Sequence, residues 1–325
     1  MALIEYRTYR NSDPPALVDL WRSQPALRGR APLDLPALEQ LALAKLYFDP
    51  RGLILAEEAG RALGFVHAGF GPTADGTALD KSRGVIAALL LRPHERRAEI
   101  AAELLARAEE YLRREGAVEA VALGASPAHP FYLGLYGGAE APGVLESDEF
   151  TLATLRAAGY DETGKRTIYQ ARLAELRPPV DRKQMQVRRN FVLDQDREPL
   201  PANWWEAISF VHGDCRRFTL RPRTGSEAVA EMTCWDIFPL GRLWNPQAMG
   251  LLSIRVEESM RRQGLATFLL GEAWRQLAGE GIGLVEAHCG EAGSPYAGLL
   301  AKLGMKPVEN GVVLTRALQN PEAPA

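Results

Sequence analysis

Cysteine is scarce. The chain has 325 residues and three cysteines, Cys215, Cys234 and Cys289, with no CxxC pair among them. So sparse and odd a set makes no disulfide framework, which excludes the stapled secreted class and points to a reducing, cytoplasmic setting. Long apolar runs are also missing. The longest, Val85–Leu91, has seven residues, far short of the roughly 20 that span a bilayer. The opening MALIEYRTYRNSDPP carries no apolar signal segment, so no membrane partner is expected. Charge of one sign is lacking too: the net charge is −3, which argues against a protein built to coat nucleic acid. Neither GxxxxGK[ST] nor GxGxxG occurs, which excludes a P-loop and a dinucleotide fingerprint. No pattern of metal-ligand spacing stands out, and no metal centre is expected.

What remains is ordinary globular material, 46% hydrophobic and 24% charged, at a length that suggests two domains of about 150 residues. Two halves follow one order of elements. In the first, Leu3–Tyr9 alternates as a strand. Asn11-Ser12-Asp13-Pro14-Pro15 opens a helix, and Leu35–Leu46 fits a second. Gly52–Glu58 and Ala62–Phe70 read as a hairpin. Val85–Leu91 is a buried strand leading into a helix with the stripe Ala101, Leu104, Leu105, Ala108 and Leu112. Ala117–Leu123 and Arg166–Leu173 complete the strands. The second half repeats the plan: a strand within Gln184–Leu193, a helix at Trp204–His212, arms at Phe218–Arg221 and Ala228–Ile237, strand Met249–Val256, helix Gly264–Leu277, strand Leu284–Cys289, helix Tyr296–Leu303 and strand Gly311–Ala317. Pro178-Pro179 marks a linker. The expected domains are therefore 1–175 and 185–325, joined by 176–184, with a frayed tail at Pro321–Ala325.

Residue offsets support the repeat. RPHERRAEIA at Arg92–Ala101 matches EESMRRQGLA at Glu257–Ala266 at an offset of 165, and Ala158-Gly159-Tyr160 matches Leu303-Gly304-Met305 at 145. The difference falls on the loop near Gly124–Glu146, which the second half shortens.

The strongest chemical signal is Val256 to Thr267, VEESMRRQGLAT. A buried strand ends, an arginine-bearing turn follows, and a helix begins at a glycine. Unpaired N–H groups at a helix start attract anions, Gly264 allows close backbone approach, and Arg261 and Arg262 add cationic donors. Physics alone gives an anion site there and leaves the anion unnamed.

This stretch resembles motif A of the GNAT acetyltransferase superfamily, V-x-x-x-x-(R/Q)-x-x-G-x-(G/A), with Val256, Arg261, Gly264 and Ala266 in its fixed places. The resemblance implies two tandem GNAT-like domains of mixed α/β (α+β) class, each a twisted mixed sheet flanked by helices, in a layout similar to that of mycothiol synthases. It implies acetyl-CoA as co-substrate, with its pyrophosphate on the amides of Arg262, Gln263, Gly264, Leu265, Ala266 and Thr267 beside Arg261, and its pantetheine arm along Ile254 and Val256. The acceptor it implies is an amine: a small molecule, a peptide N-terminus or a lysine, on a monomer or homodimer.

Both copies depart from the pattern. Leu91-Arg92-Pro93-His94-Glu95-Arg96 follows the motif, yet Glu99 stands at the glycine position: either its carboxylate weakens the first cradle, which is the expectation, or it caps the helix dipole and points to solvent with cofactor still bound. In the second copy the family's acidic tyrosine position holds Leu300. Tyr296, four residues earlier on the same helix face, is the candidate acid. For the general base the candidates are Glu231, Asp236 and His288, the last having a pKa range suited to an ammonium proton near neutral pH. The loop Pro130–Gly138 either lines an acceptor pocket, touches the other half or packs on itself at the surface. Trp204-Trp205 either border the acceptor or pack in a core. A non-catalytic acyl-CoA-binding or regulatory protein remains the alternative to an enzyme.

Overall fold

A computed structural model describes residues 3–210, 214–290 and 293–318. The chain forms two compact units, and they are not its sequence halves. The first comprises Met1–Lys165, Asn203–Ser209 and Gly311–Ala325; the second comprises Arg166–Ala202 and Phe210–Asn310.

The first unit contains β1 (Ile4–Thr8), α1 (Pro14–Arg22), α2 (Leu35–Leu38), β2 (Leu53–Glu58), β3 (Arg61–Pro72), β4 (Leu79–Leu91), α3 (Arg97–Arg114), β5 (Glu119–Ala122), β6 (Val144–Leu145) and α4 (Glu149–Ala157). Strand β7 (Asp161–Arg172) leaves it for the second unit. The second unit adds α5 (Arg182–Asn190) and β8 (Phe191–Asp196). Helix α6 (Trp204–Ser209) belongs to the first unit. Then follow β9 (Cys215–Pro222), β10 (Ala230–Asp236), α7 (Phe238–Trp244), β11 (Ala248–Val256), α8 (Leu265–Gly279), β12 (Leu284–Cys289) and α9 (Pro295–Lys302). Strand β13 (Lys306–Ala317) returns to the first unit from Gly311 onward.

Each sheet is completed by a strand from the far end of the other half. In the first unit the order is β1-β2-β3-β4-β5-β13, with Thr315–Ala317 antiparallel to Val121–Glu119. In the second it is β8-β9-β10-β11-β12-β7, with Thr167–Arg172 antiparallel to Cys289–Leu284. The expected boundaries at 175 and 185 therefore cut across the units. The reason is edge satisfaction: β12 has a free side away from β11, and β7 supplies its hydrogen-bonding partner there.

Each core is a helix laid on a sheet. Helix α3 buries Ile100, Ala101, Leu104, Leu105, Ala108 and Leu112 against β2, β3 and β4. Helix α8 buries Leu265, Leu269, Leu270, Ala273, Trp274 and Leu277 over Phe218, Met232, Cys234, Met249 and Val285. At roughly 2 kcal/mol per fully buried large apolar side chain, these two faces are the main stabilising surfaces of their units.

Local expectations needed correction in several places. Residues 184–190, read as strand, are helix: Asp181 accepts the Gln184 N–H as N-cap, and Gln184 and Val187 are buried at helical spacing. The helix expected over Leu35–Leu46 is one turn of α-helix followed by a wider turn at Glu39–Leu43. Asp13 does not cap α1 through its side chain; its carboxylate binds Arg7 at 2.7 and 2.8 Å and the Arg10 amide at 2.7 Å. Helix α7 had no sequence signal. The Pro130–Gly138 loop is core rather than surface: Phe131, Tyr132, Leu133 and Leu135 are buried. His212 and the Pro321–Ala325 tail lie outside the described residues.

Candidate active site

Two strand-to-helix turns occupy equivalent places, one per unit. In each unit the parallel strand pair before the turn parts early. In the second, β11 and β12 pair only over Ala248–Leu251 and Leu284–Ala287, while β11 runs on to Val256. In the first, β4 and β5 pair over Arg83–Ile86 and Glu119–Ala122, while β4 runs on to Leu91. A cleft between parallel strands thus opens toward each turn.

The second turn is built to present backbone N–H groups. Arg262 and Gly264 both take left-handed backbone, with φ of 65° and 88°. Gly264 is the N-cap of α8 and has no side chain to satisfy the helix start. The first helical bond runs from the Phe268 N–H to the Gly264 carbonyl, 3.0 Å. Among the described residues, no acceptor meets the amides of Arg262, Gln263, Gly264, Leu265, Ala266 or Thr267. A Cβ on Gly264 would stand 3.0 Å from Gln184 Nε2, which donates to the Gly264 carbonyl at 3.3 Å. Arg261 turns back to donate to the Val256 carbonyl at 3.2 Å, and Gln263 donates to the Ser259 carbonyl at 3.4 Å. The side chains of Leu265 and Thr267 are buried, so those two residues can serve a ligand through their amides.

The first turn satisfies itself. His94 Nδ1 accepts the Arg96 amide at 3.0 Å and its carbonyl accepts the Arg97 amide at 3.1 Å. Arg97 folds back, its guanidinium carbon 3.4 Å from the Phe150 ring centre and Nη2 donating to the Leu91 carbonyl at 3.2 Å. Gln24 donates to that same carbonyl at 3.2 Å. Glu99 pairs with Arg96 at 2.8 Å and leaves 68% of its side chain exposed. The carboxylate therefore points to solvent; Arg97 and Gln24 occupy the Leu91 carbonyl, as Arg261 occupies the Val256 carbonyl in the second turn, and what sets the first turn apart is His94 on the Arg96 and Arg97 amides.

The three catalytic candidates are not one cluster. His288 Nε2 lies 3.0 Å from Glu286 Oε1, and Gln170 Nε2 donates to Glu286 Oε2 at 2.6 Å. All three side chains are buried. Glu231 pairs in register with Arg255 on β11. It is two strand spacings from β12, about 9.6 Å, and farther along the sheet than His288. Its carboxylate instead approaches Arg217 at 3.9 Å. Tyr296 is half-buried in the first turn of α9, behind the Ser294 N-cap that accepts the Ala297 amide at 3.2 Å. Asp236 has its carboxyl pushed up by burial. It stands opposite Met249, at the far end of β11 from the turn, about 23 Å away at strand rise. Leu300 is fully buried in the core.

The Glu286–His288 pair was the signal left unread: a carboxylate and an imidazole at i and i+2, on one face of an otherwise apolar strand. Trp204 and Trp205 belong to the first unit, where Trp205 stacks on Tyr47 at 5.2 Å between ring centres. Lys45 reaches the end of α6, donating to the Ile208 carbonyl at 2.7 Å, and burial lowers its pKa to about 8. Among the described residues no group of metal-binding side chains occurs, and no helix is long and apolar enough to cross a membrane.

Residues 15–135 match the model of the acetyltransferase (GNAT) family. The chain has the fold of a tandem GNAT protein. The match lies on the half whose turn is closed. A tandem GNAT protein from the clavulanic acid biosynthesis pathway, solved without acetyl-CoA, aligns over 98% of this chain and 100% of its own, with TM-score 0.68 and 16% identity. A glucosamine N-acetyltransferase region of a fungal multi-domain GH3 β-N-acetylglucosaminidase aligns over 97% of this chain and 38% of its own, with TM-score 0.71 and 16% identity. A GCN5-related N-acetyltransferase from Sphaerobacter thermophilus gives 98%, 96%, 0.63 and 15% in the same order. No curated protein matches the sequence.

Acetyl-CoA, which the fold implies, was tested against the residues present in each GNAT turn. A pyrophosphate needs several N–H donors converging without a Cβ in the way. Among the described residues the second turn offers six amides without a protein acceptor and a glycine at the helix start; in the first the Arg96 and Arg97 amides are bonded to His94, and Glu99 puts a Cβ at the glycine position.

Proposed function

We propose that the protein is an acyl-CoA-dependent N-acetyltransferase whose active site lies in the second unit and whose acceptor is an amine. The carrying observation is the run of unpartnered amides from Arg262 to Thr267 at the mouth of the β11–β12 cleft. When bound, acetyl-CoA supplies an acyl group activated as a thioester.

The chain's own part follows from the geometry. The amides of Arg262–Thr267 hold negative charge, aided by the positive end of α8. Beyond Leu251 the strand β11 has, among the described residues, no sheet partner on its β12 side, and an extended amide-bearing arm fits there along Ile254 and Val256, taking the Val256 carbonyl from Arg261. His288, the first β12 residue beyond the paired segment, takes a proton from the acceptor amine. Tyr296 is the candidate proton donor to the departing thiolate. The first unit serves as scaffold: it keeps a GNAT sheet while the Arg96 and Arg97 amides of its turn are bonded to His94.

Thiol release from acetyl-CoA across a panel of amines and peptides, with calorimetry for binding, tests this reading. Binding with turnover on at least one amine supports it. Binding with none supports the non-catalytic alternative, which the buried Leu300 in the usual acid position favours. No binding overturns both.

A further inference from the structure

Strand β7 brings Gln170, from the first half of the sequence, against the active unit's β12, opposite Glu286 in register. Gln170 Nε2 can only donate, so Glu286 Oε2 is an acceptor at 2.6 Å. An ionised Glu286 then has Oε1 left to accept the His288 Nε2–H at 3.0 Å. That fixes the imidazole as the Nε2–H tautomer and leaves a lone pair on Nδ1. Nδ1 is buried and, among the described residues, no protein group meets it, a costly arrangement unless something else uses the atom.

Resting on the function proposed above, we propose that Glu286 and Gln170 are positioning residues for His288: they aim its Nδ1 at the acceptor amine, and the exchanged strand β7 is thereby part of the active site. One proton moves from the acceptor nitrogen to Nδ1. The imidazolium charge forms against the Glu286 carboxylate, and the proton later leaves to solvent. Glu286 stays ionised throughout. The ionisable groups on neighbouring elements are Arg166, Tyr169 and Arg172 on and beside the β7 segment paired with β12, with Asp161, Glu162 and Lys165 farther along β7, and Tyr296 and Lys302 on α9; β11 carries none over 248–253. Of these, Arg166 stands beside Gly290, its Nη1 3.4 Å from where a Cβ would be.

The experiment pairs side-chain ¹⁵N NMR of the free chain with kinetics on acetyl-CoA. His288→Gln assigns the imidazole signals. The wild type is expected as the Nε2–H tautomer. Glu286→Gln is expected to give mixed tautomers, a kcat lower by about 10- to 100-fold and an altered pH profile, with acetyl-CoA affinity within about twofold. Gln170→Leu is expected to show a smaller loss of the same kind. An Nδ1–H tautomer in the wild type overturns the proposal. So does a Glu286→Gln variant with unchanged tautomer and pH profile while His288→Gln abolishes turnover. A wild type that fails to bind acetyl-CoA overturns the proposed function instead, and the catalytic role of the pair falls with it.

Discussion

The turn after β4 and the turn after β11 descend from one sequence plan, yet they treat their backbone N–H groups in opposite ways. The first turn bonds the Arg96 and Arg97 amides to His94 and lays Arg97 and Gln24 on the Leu91 carbonyl. The second holds two left-handed residues and leaves six amides without acceptors. Hydrogen-bonding a polar group stabilises a fold; leaving it without a partner costs stability and is kept where a ligand completes the bond. On the function proposed above, the first turn serves stability and the second serves binding.

The largest expected effect concerns the exchanged strands. Residues 185–325 expressed alone lack β7, so β12 has an unpaired edge, and Gly311–Ala317 lose their β5 and β6 partners. We predict no cooperative thermal transition for this fragment, and recovery when 1–184 is co-expressed. A soluble fragment with a sharp transition would show that the exchange is dispensable.

Next in size is Gly264→Glu, which puts the first turn's residue into the second. A side chain at φ 88° is strained by about 1–2 kcal/mol, and its carboxylate faces the cradle. Acetyl-CoA affinity should fall at least 100-fold by calorimetry, with the melting temperature lowered by only a few degrees. Equal affinity would remove the second turn from the cofactor site.

Acid sensitivity should separate the units further. The first buries His67 and His129, whose pKa values burial lowers to about 3 and about 4. His67 Nδ1 meets Tyr132 Oη at 2.8 Å, whereas among the described residues neither His129 nitrogen has a hydrogen-bond partner. The unfolded chain binds protons at these residues below pH ~6.5 while the folded chain does not. Stability therefore holds above pH ~6.5 and is lost as pH falls toward about 4, by at most roughly 1.4 kcal/mol per pH unit per histidine. Denaturant unfolding at pH 7 and 5 should show it, and His129→Leu should reduce the slope. An unchanged slope would mean that His129 is protonated in the fold.

The smallest effect is expected of Glu99→Gly. Because Glu99 already lies outward on Arg96, the substitution should leave one acetyl-CoA per chain. A second binding event would mean that Glu99, and not His94, keeps the first turn shut.

Much of this was legible beforehand. The alternation of Leu3–Tyr9, the stripe on α3, and the Arg261–Ala266 spacing all encode local geometry, and local geometry is what periodicity reports. The exchange of β7 and β13 was not legible, because pairing between residues 112 or more positions apart leaves no mark in either strand's own pattern. The same holds for α6: Trp204-Trp205 read as apolar helix, but nothing local said that Tyr47 receives them. Glu99 was misjudged for a related reason, since its exposure depends on where Arg96 stands. Glu286 with His288 was visible as a polar pair in an apolar strand, but its third member, Gln170, depended on the exchange.

The central claim is that one turn binds and the other is closed. Calorimetric titration of the intact chain with acetyl-CoA tests it most directly. We predict a ratio of one, abolished by Gly264→Glu and unchanged by Arg97→Ala. A ratio of two, or a single event that survives Gly264→Glu and disappears on altering the first turn, would contradict the assignment.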